Sequence, residues 1–387
     1  MRLATDLATS PDDRVLPAYA GRSILNLVTS LTAQLGLPPA AAPFSAPDWK
    51  DGGLLDGVER VLLFVLDGLG HYLLTRHIEG GEMPWLAEQL ADENSGWRYT
   101  TATSTLPSST MIALTTMHTG VPPAQHGWLG TTVYQNRTVV DLLRQTDVLA
   151  GQALANPHQL ACVPSIYRRL QEIGVPSGYV NPAAYEGQFL DHFYFGGGRP
   201  FRYGAASPLP GQVAAALGES RYVMAYWPDY DTTNHIFGPS SEESSQAART
   251  VDDLIRQTVQ RVPQDGRTLL VFTADHGQRD TPGSAIRPIT GQAAAGENRF
   301  RYLHSTEQAA QVGEAAVFPS AQLWEEGLFG GPPARPEFLE RTGTYTAIVQ
   351  DAAQLTYDYG AGPLILKGNH GGWSAEEMVV PVLTLRR

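Results

Sequence analysis

A chain of 387 residues is long enough for one large α/β domain carrying insertions, and its 42% hydrophobic and 17% charged content excludes a disordered or fibrous architecture. The formal net charge of −12 opposes general attraction to nucleic-acid backbones or anionic lipid, so neither a nucleic-acid polymer nor a membrane is an expected partner. With Cys162 alone, no intrachain disulfide or thiolate zinc cluster can form, and any metal must be held by His and carboxylates.

The segment from Met1 to Asp13 lacks the basic stretch and apolar run of a signal peptide, and no apolar stretch has bilayer length, which makes the cytoplasm the expected location. Val61 to Leu66 is a continuous apolar run, the pattern of a strand buried on both faces of a parallel sheet; it ends at Asp67-Gly68. A helical pattern follows from Tyr72 to Leu90. From Thr100 to Thr119 the chain is rich in hydroxyls, and helical spacing begins near Met111, so Ser108 or Ser109 reads as its N-cap. Composition alone does not select a nucleophile among those hydroxyls.

Ser165 to Ile173 is the next expected helix. The stretch Asn181 to Pro210 is a long excursion whose aromatics, Tyr185, Phe189, Phe193, Tyr194 and Phe195, read first as packing residues, with stacking on a nucleobase as the alternative. A second strand, Tyr222 to Tyr226, leads into Asp231 and His235, whose spacing of four puts both side chains on one face of a helix. The pattern from Glu242 to Val262 is helical again. A third strand, Leu269 to Thr273, ends at Asp275-His276, where Gly277 supplies a sharp turn. Loops at Thr281 to Gly296 and Gly330 to Pro336 flank a polar, aromatic stretch, Arg299 to Phe329, that fits the core pattern poorly and reads as part of a cap. His370 follows in Gly-Asn-His-Gly-Gly-Trp, and Val379 to Leu385 closes the chain as a strand.

Strands alternating with helices predict an α/β fold, a mostly parallel central sheet with helices on both faces and a smaller inserted cap. The expected division is residues 1–279 as the first part of the core, with the excursion 181–210, then 280–345 as cap and 346–387 as the closing part. Each acidic or imidazole motif has an ordinary structural explanation when taken singly: Asp67 as a helix N-cap, Asp275 as a turn cap, His370 as an incidental loop residue. Their joint appearance after strands favours one site, because open α/β sheets bind ligands at the carboxyl ends of their strands. The remaining histidines, His71, His77, His118, His126, His158, His192 and His304, are read as structural or surface residues.

The ordered set Asp67-Gly68, Thr105-Leu106-Pro107-Ser108, Asp231-x-x-x-His235-x-x-Gly238-Pro239, Asp275-His276-Gly277 and His370-Gly371 resembles the alkaline phosphatase superfamily, and within it the nucleotide pyrophosphatase/phosphodiesterase branch. The resemblance implies an alkaline-phosphatase-like fold and two divalent metal ions, zinc first and manganese or iron as alternatives. It assigns Asp67, Asp275, His276 and the Thr105 oxygen to one ion, and Asp231, His235 and His370 to the other. It also makes Thr105 the nucleophile that becomes phosphothreonine, with Ser108 standing where the family often has an asparagine that helps the oxyanion.

The implied shell is about neutral, two divalent cations against three aspartates and an alkoxide. No Lys or Arg occurs between Thr100 and Gly120, so no arginine clamp comes from this segment. The expected partner is therefore a small phosphate ester, a nucleotide among the candidates, and the expected reaction is diester or pyrophosphate hydrolysis. Arg279, Arg287, Arg299 and Arg301 are the cap residues that could change that preference. Phosphomonoester or phosphonate hydrolysis is the enzymatic alternative, a non-catalytic metal-binding scaffold the other; oligomeric state is not set by the sequence.

Overall fold

Along Arg60–Leu66 (β1) the apolar run serves two cores at once: Val61, Leu63 and Val65 enter one hydrophobic cluster, while Leu62, Phe64 and Leu66 enter another. A strand covered on both faces has no reason to alternate polar with apolar residues, which accounts for the pattern. The computed structural model describes residues 3–46, 49, 53–154, 163–187, 191 and 194–387; the expectations for His158, Cys162, Phe189, His192 and Phe193 lie outside the described residues.

Six further strands complete a seven-stranded sheet: Arg98–Thr103 (β2), Ser177–Pro182 (β3), Arg199–Tyr203 (β4), Tyr222–Trp227 (β5), Thr268–Thr273 (β6) and Val379–Arg386 (β7). Their spatial order is β2-β7-β6-β1-β5-β3-β4, with β7 antiparallel to both its neighbours and the other pairings parallel. One face is covered by Ile24–Ala33 (α1) and Thr110–Thr119 (α3). The other carries His71–Gly80 (α2), Leu209–Glu219 (α4) and Glu242–Arg261 (α6). The doubly covered, mostly parallel sheet is the expected fold class.

One sequence-based expectation shifts in detail, and one strand has no counterpart among the expected ones. The helical pattern from Tyr72 to Leu90 is broken into α2 and Pro84–Ala91, because Gly81 takes a left-handed conformation at φ 82° and Pro84 restarts the helix at its first position. The strand β2 is hydroxyl-rich and has no apolar run, yet Thr101, Ala102 and Thr103 are buried against β7.

A second, eight-stranded antiparallel sheet takes its strands from two stretches of chain, 132–153 and 295–348, and carries its own apolar cluster around Leu303, Ala347 and Leu355. The segment 295–303, with Ala295–Gly296 and Phe300–Leu303 as paired strands, forms a hairpin of this sheet. Tyr194 and Phe195 of the excursion are buried, stacking on His118 and Tyr179 respectively, which is the packing role. Among the described residues, no helix is long and apolar enough to cross a membrane.

Candidate active site

The carboxyl ends of β1, β5 and β6 lie side by side, so the residues that follow them meet. Asp67 follows β1 directly, and Gly68 (φ 72°) turns the chain; a Cβ on Gly68 would lie 3.0 Å from Asp231 Cβ and Oδ1, so only glycine permits this approach. Asp231 and His235 sit on Asp229–Phe237 (α5), one turn apart, with Oδ2 and Nε2 separated by 3.1 Å. After β6, the Asp275 Oδ1 accepts from the backbone N–H groups of Gly68 at 3.2 Å and His276 at 3.0 Å.

These groups form two clusters: Asp67, Asp275 and His276 in one, Asp231, His276 and His370 in the other, with ligand-capable atoms in each within 4.8 Å of one another. His235 joins the second through a 3.3 Å approach of its Nε2 to that of His370. The six Asp and His residues among the seven expected to bind metal are thus gathered in one place, and His276 stands between the two groups.

Each imidazole of the site is oriented in the same way. Nδ1 of His235 meets the Gly368 carbonyl at 2.8 Å, that of His276 the Gly277 carbonyl at 3.0 Å, and that of His370 the Ser108 carbonyl at 3.0 Å. A carbonyl can only accept, so in each neutral ring Nδ1 carries the proton and Nε2 presents a free lone pair. This is how metal-ligating histidines are held.

The electrostatics of the protein groups alone ask for positive charge. Burial, then the neighbouring charges of Asp275 and Asp231, push the Asp67 carboxyl well above the usual range. Burial also raises Asp275, whose Oδ2 is buried without a hydrogen-bond partner. At Asp231 burial is outweighed by the charges of His235, His370 and His276, which hold the carboxyl below its ordinary value. In turn Asp231 overcomes the burial of His235 and lifts it to about 9, whereas burial and the charge of His276 push His370 down. Three buried carboxylates with an orphaned oxygen and three inward lone pairs fit divalent cations.

The nucleophile segment departs from expectation. Thr105 does not join the cluster: its hydroxyl is fully buried and donates to the Pro107 carbonyl at 2.9 Å, a local turn contact. Thr110, the first residue of α3, has Oγ1 at 2.9 Å from His276 Nε2 and 3.5 Å from Asp67 Oδ1. The segment from Thr105 to Ser109 is needed to lead the chain into the helix, so the hydroxyl that reaches the aspartates is the one at the helix start. The pattern beginning near Met111 was the signal for this residue, since a helix N-terminus offers unpaired N–H groups to an anion.

Ser108 is also turned away from an oxyanion role. Its hydroxyl donates to the Gly372 carbonyl at 2.7 Å and accepts from Gly371 N–H at 3.2 Å, fastening the loop that carries His370. Two further residues not singled out in the sequence touch the clusters. Gln278 donates its amide to Asp231 Oδ1 at 2.7 Å, and the Tyr226 hydroxyl donates to Asp67 Oδ2.

The four cap arginines are engaged elsewhere. Arg279 pairs with Asp12 at 3.0 Å, Arg287 with Asp351, Arg299 with Glu377 at 2.6 Å, and Arg301 bonds Asn298 and the Leu355 carbonyl, both at 2.7 Å. His126 accepts from Trp128 N–H at 3.1 Å and lies 3.0 Å from the Thr116 hydroxyl, a structural placement inside the chain turn after α3.

A model of the family described as type I phosphodiesterase / nucleotide pyrophosphatase matches residues 61–314, which include every residue of the two clusters except His370. No curated protein matches the chain in sequence. Among solved structures, the chain is similar to murine ectonucleotide pyrophosphatase/phosphodiesterase 5, an inactive variant in complex with AMP, with a TM-score of 0.61 and 13% identity over 84% of this chain and 87% of that one. It is likewise similar to phosphonoacetate hydrolase from Sinorhizobium meliloti in complex with phosphonoformate, with a TM-score of 0.58 and 16% identity over 85% of this chain and 90% of that one. At such identities the likeness establishes the shared fold.

Proposed function

The chain belongs to the type I phosphodiesterase / nucleotide pyrophosphatase family of the alkaline phosphatase superfamily, and from that premise we propose that it is a two-metal hydrolase of small phosphate diesters whose nucleophile is Thr110. One observation carries the reading: a hydroxyl at a helix start lies 2.9 Å from the imidazole that the two carboxylate and imidazole clusters share, with all three site imidazoles held by backbone carbonyls at Nδ1.

In this reading Asp67, Asp275, His276 and Thr110 hold one ion, and Asp231, His235 and His370 the other. Zinc suits the mixed imidazole and carboxylate donors, and manganese or iron would accept similar ones. When bound, such ions supply Lewis acidity that favours the threonine alkoxide and offsets charge developing on the phosphoryl oxygens. Thr110 Oγ1 forms a bond to phosphorus as the bond from phosphorus to the leaving oxygen breaks, giving a phosphothreonine and an alcohol that takes up a proton. Water then attacks phosphorus, the threonine oxygen leaves, and the hydroxyl is restored. Unpaired N–H groups at the start of α3 supply hydrogen bonds to the phosphoryl oxygens.

Diesters are favoured because each of the four candidate arginines has its acidic, amide or carbonyl partner outside the two clusters, so none is paired with a site carboxylate or aimed there by one. The second sheet serves as the cap that selects the ester groups, and the core is the remainder of the chain.

Elemental analysis of the purified protein, coupled to kcat/KM for matched aryl monoester, diester and phosphonate substrates, tests the proposal. About two transition-metal ions per chain and a diester preference are expected. Absence of stoichiometric metal, or turnover insensitive to chelators, would sink the two-metal reading. A strong monoester or phosphonate preference would keep the metal site and reject the diester assignment.

A further inference from the structure

Glu297 stands at the tip of the hairpin that joins Ala295–Gly296 to Phe300–Leu303 in the second sheet. Its Oε1 accepts from the Ser109 hydroxyl at 3.0 Å and from Thr131 N–H at 2.6 Å. Ser109 is the N-cap of α3 and immediately precedes Thr110. On its other side, the Glu297 Cβ lies 3.0 Å from where a Cβ on Gly371 would be, next to His370, and its negative charge is felt at His235. The second sheet thus sets a carboxylate between the start of the nucleophile helix and the loop of His370.

The hydrogen bonds do not require a charge, since an amide oxygen at Oε1 would accept both equally well. Among the described residues no ion pair involves Glu297: Arg299 is taken by Glu377, and Arg301 bonds Asn298 and Leu355. Burial pushes the Glu297 carboxyl above its ordinary range. A buried acid that only clipped a hairpin would be better replaced by glutamine.

We propose that Glu297 is a specificity-determining residue that selects substrates by charge, repelling a second negative charge on the transferred phosphoryl group and so reserving the site for singly charged diesters. A monoester dianion, or a phosphonate bearing a carboxylate, would bring its extra charge towards this carboxylate, where like charges repel in a partly water-excluded site. A diester places a neutral ester group there. The proposal rests on the two-metal reading above, and names the residue that sets its substrate class.

The test compares kcat/KM for an aryl phosphate monoester and a methyl aryl phosphate diester in the wild type, Glu297→Gln and Glu297→Ala, at about pH 8.5, several units above the ordinary carboxyl range, with metal content and melting temperature measured for each. Glu297→Gln keeps both acceptor contacts and removes the charge. The expected result is a monoester kcat/KM at least about tenfold above wild type, with a fall in the diester-to-monoester ratio. A gain of this kind cannot arise from damage to the fold. Glu297→Ala removes the contacts too and is expected to move the ratio the same way, so it carries the test should the glutamine variant not fold. Monoester kcat/KM at or below wild type in a folded, metal-loaded variant overturns the assignment. Failure of the underlying reading is visible separately, in a wild type that holds no metal and turns over neither ester.

Discussion

Thr110 and Thr105 differ in what their hydroxyls touch, and the difference predicts opposite consequences of the same truncation. The Thr110 hydroxyl reaches His276 and Asp67 at the start of α3, so Thr110→Ala is expected to lower kcat by about a thousandfold or more while leaving the fold intact. The Thr105 hydroxyl is enclosed and donates to Pro107, so Thr105→Ala is expected to keep kcat within a few-fold and lose about 1 kcal/mol of stability. Steady-state kinetics and urea denaturation of the two variants decide the matter. The reverse pattern, with Thr105→Ala inactive and Thr110→Ala active, returns the nucleophile to Thr105. A single residue type in a hydroxyl-rich run cannot be ranked by sequence, because eleven Ser and Thr side chains between Thr100 and Thr119 share the same chemistry and differ only in direction.

At the scale of elements, the loop bearing His370 is held from two sides. Ser108 fastens it from the nucleophile segment, and Glu377 fastens it from the helix that precedes β7. The Glu377 carboxylate accepts from Gly372 N–H at 2.8 Å, the Ser374 hydroxyl at 2.6 Å and both Nε and Nη2 of Arg299, at 2.6 and 3.1 Å. Both partners of that ion pair have side chains at 0% exposure, so its loss leaves an uncompensated buried charge. Glu377→Ala is expected to destabilise the protein by about 3–5 kcal/mol. The double variant Glu377→Ala with Arg299→Met should cost clearly less than the sum of the two single changes. Denaturant titrations of the four proteins measure this, and strict additivity would show that the pair is not coupled. The strut also links Arg299, in the hairpin of the second sheet, to the loop that carries His370.

The whole molecule concentrates three buried carboxylates and three imidazoles at one edge of a sheet, so its stability is expected to depend on metal and on pH together. In the chelated protein, Asp67 and Asp275 have raised pKa values, chiefly from burial, so the stability associated with their neutral forms is lost as pH rises through those values. His235 is raised to about 9 by Asp231, so its contribution is full below its ordinary value of 6.5 and lost as pH approaches 9. Asp231 is depressed, so its contribution persists across this range. The histidines that burial pushes down, His370, His77, His118, His126 and His304, act in the opposite sense only below about pH 7.5, because above it an ordinary imidazole is already neutral, so the melting temperature of the chelated protein should fall between about pH 7.5 and pH 9. Readdition of zinc should raise it most at the alkaline end, where the ligands are deprotonated. Thermal melts at both pH values, with and without metal, check this, and a metal-free melting temperature that rises with pH contradicts it.

By itself the sequence determined the four apolar strands of the central sheet, the doubly covered α/β class, the family, and the three aspartates and three histidines that meet at one edge of the sheet. Those features depend on local pattern: an apolar run bounded by Asp-Gly, a spacing of four, an Asp-His pair before glycine. Only the tertiary structure decided which hydroxyl meets the aspartates, because the path from Ser104 into α3 turns Thr105 towards Pro107 and brings Thr110 to His276. The same is true of the hydroxyl-rich strand β2, whose burial comes from β7 rather than from its own residues. The second sheet joins 132–153 to 295–348, and that pairing placed Glu297 beside Ser109 across 188 positions of chain. Long-range contacts of this kind leave no periodicity to read, since each partner's local sequence is compatible with many others, and packing alone selects among them.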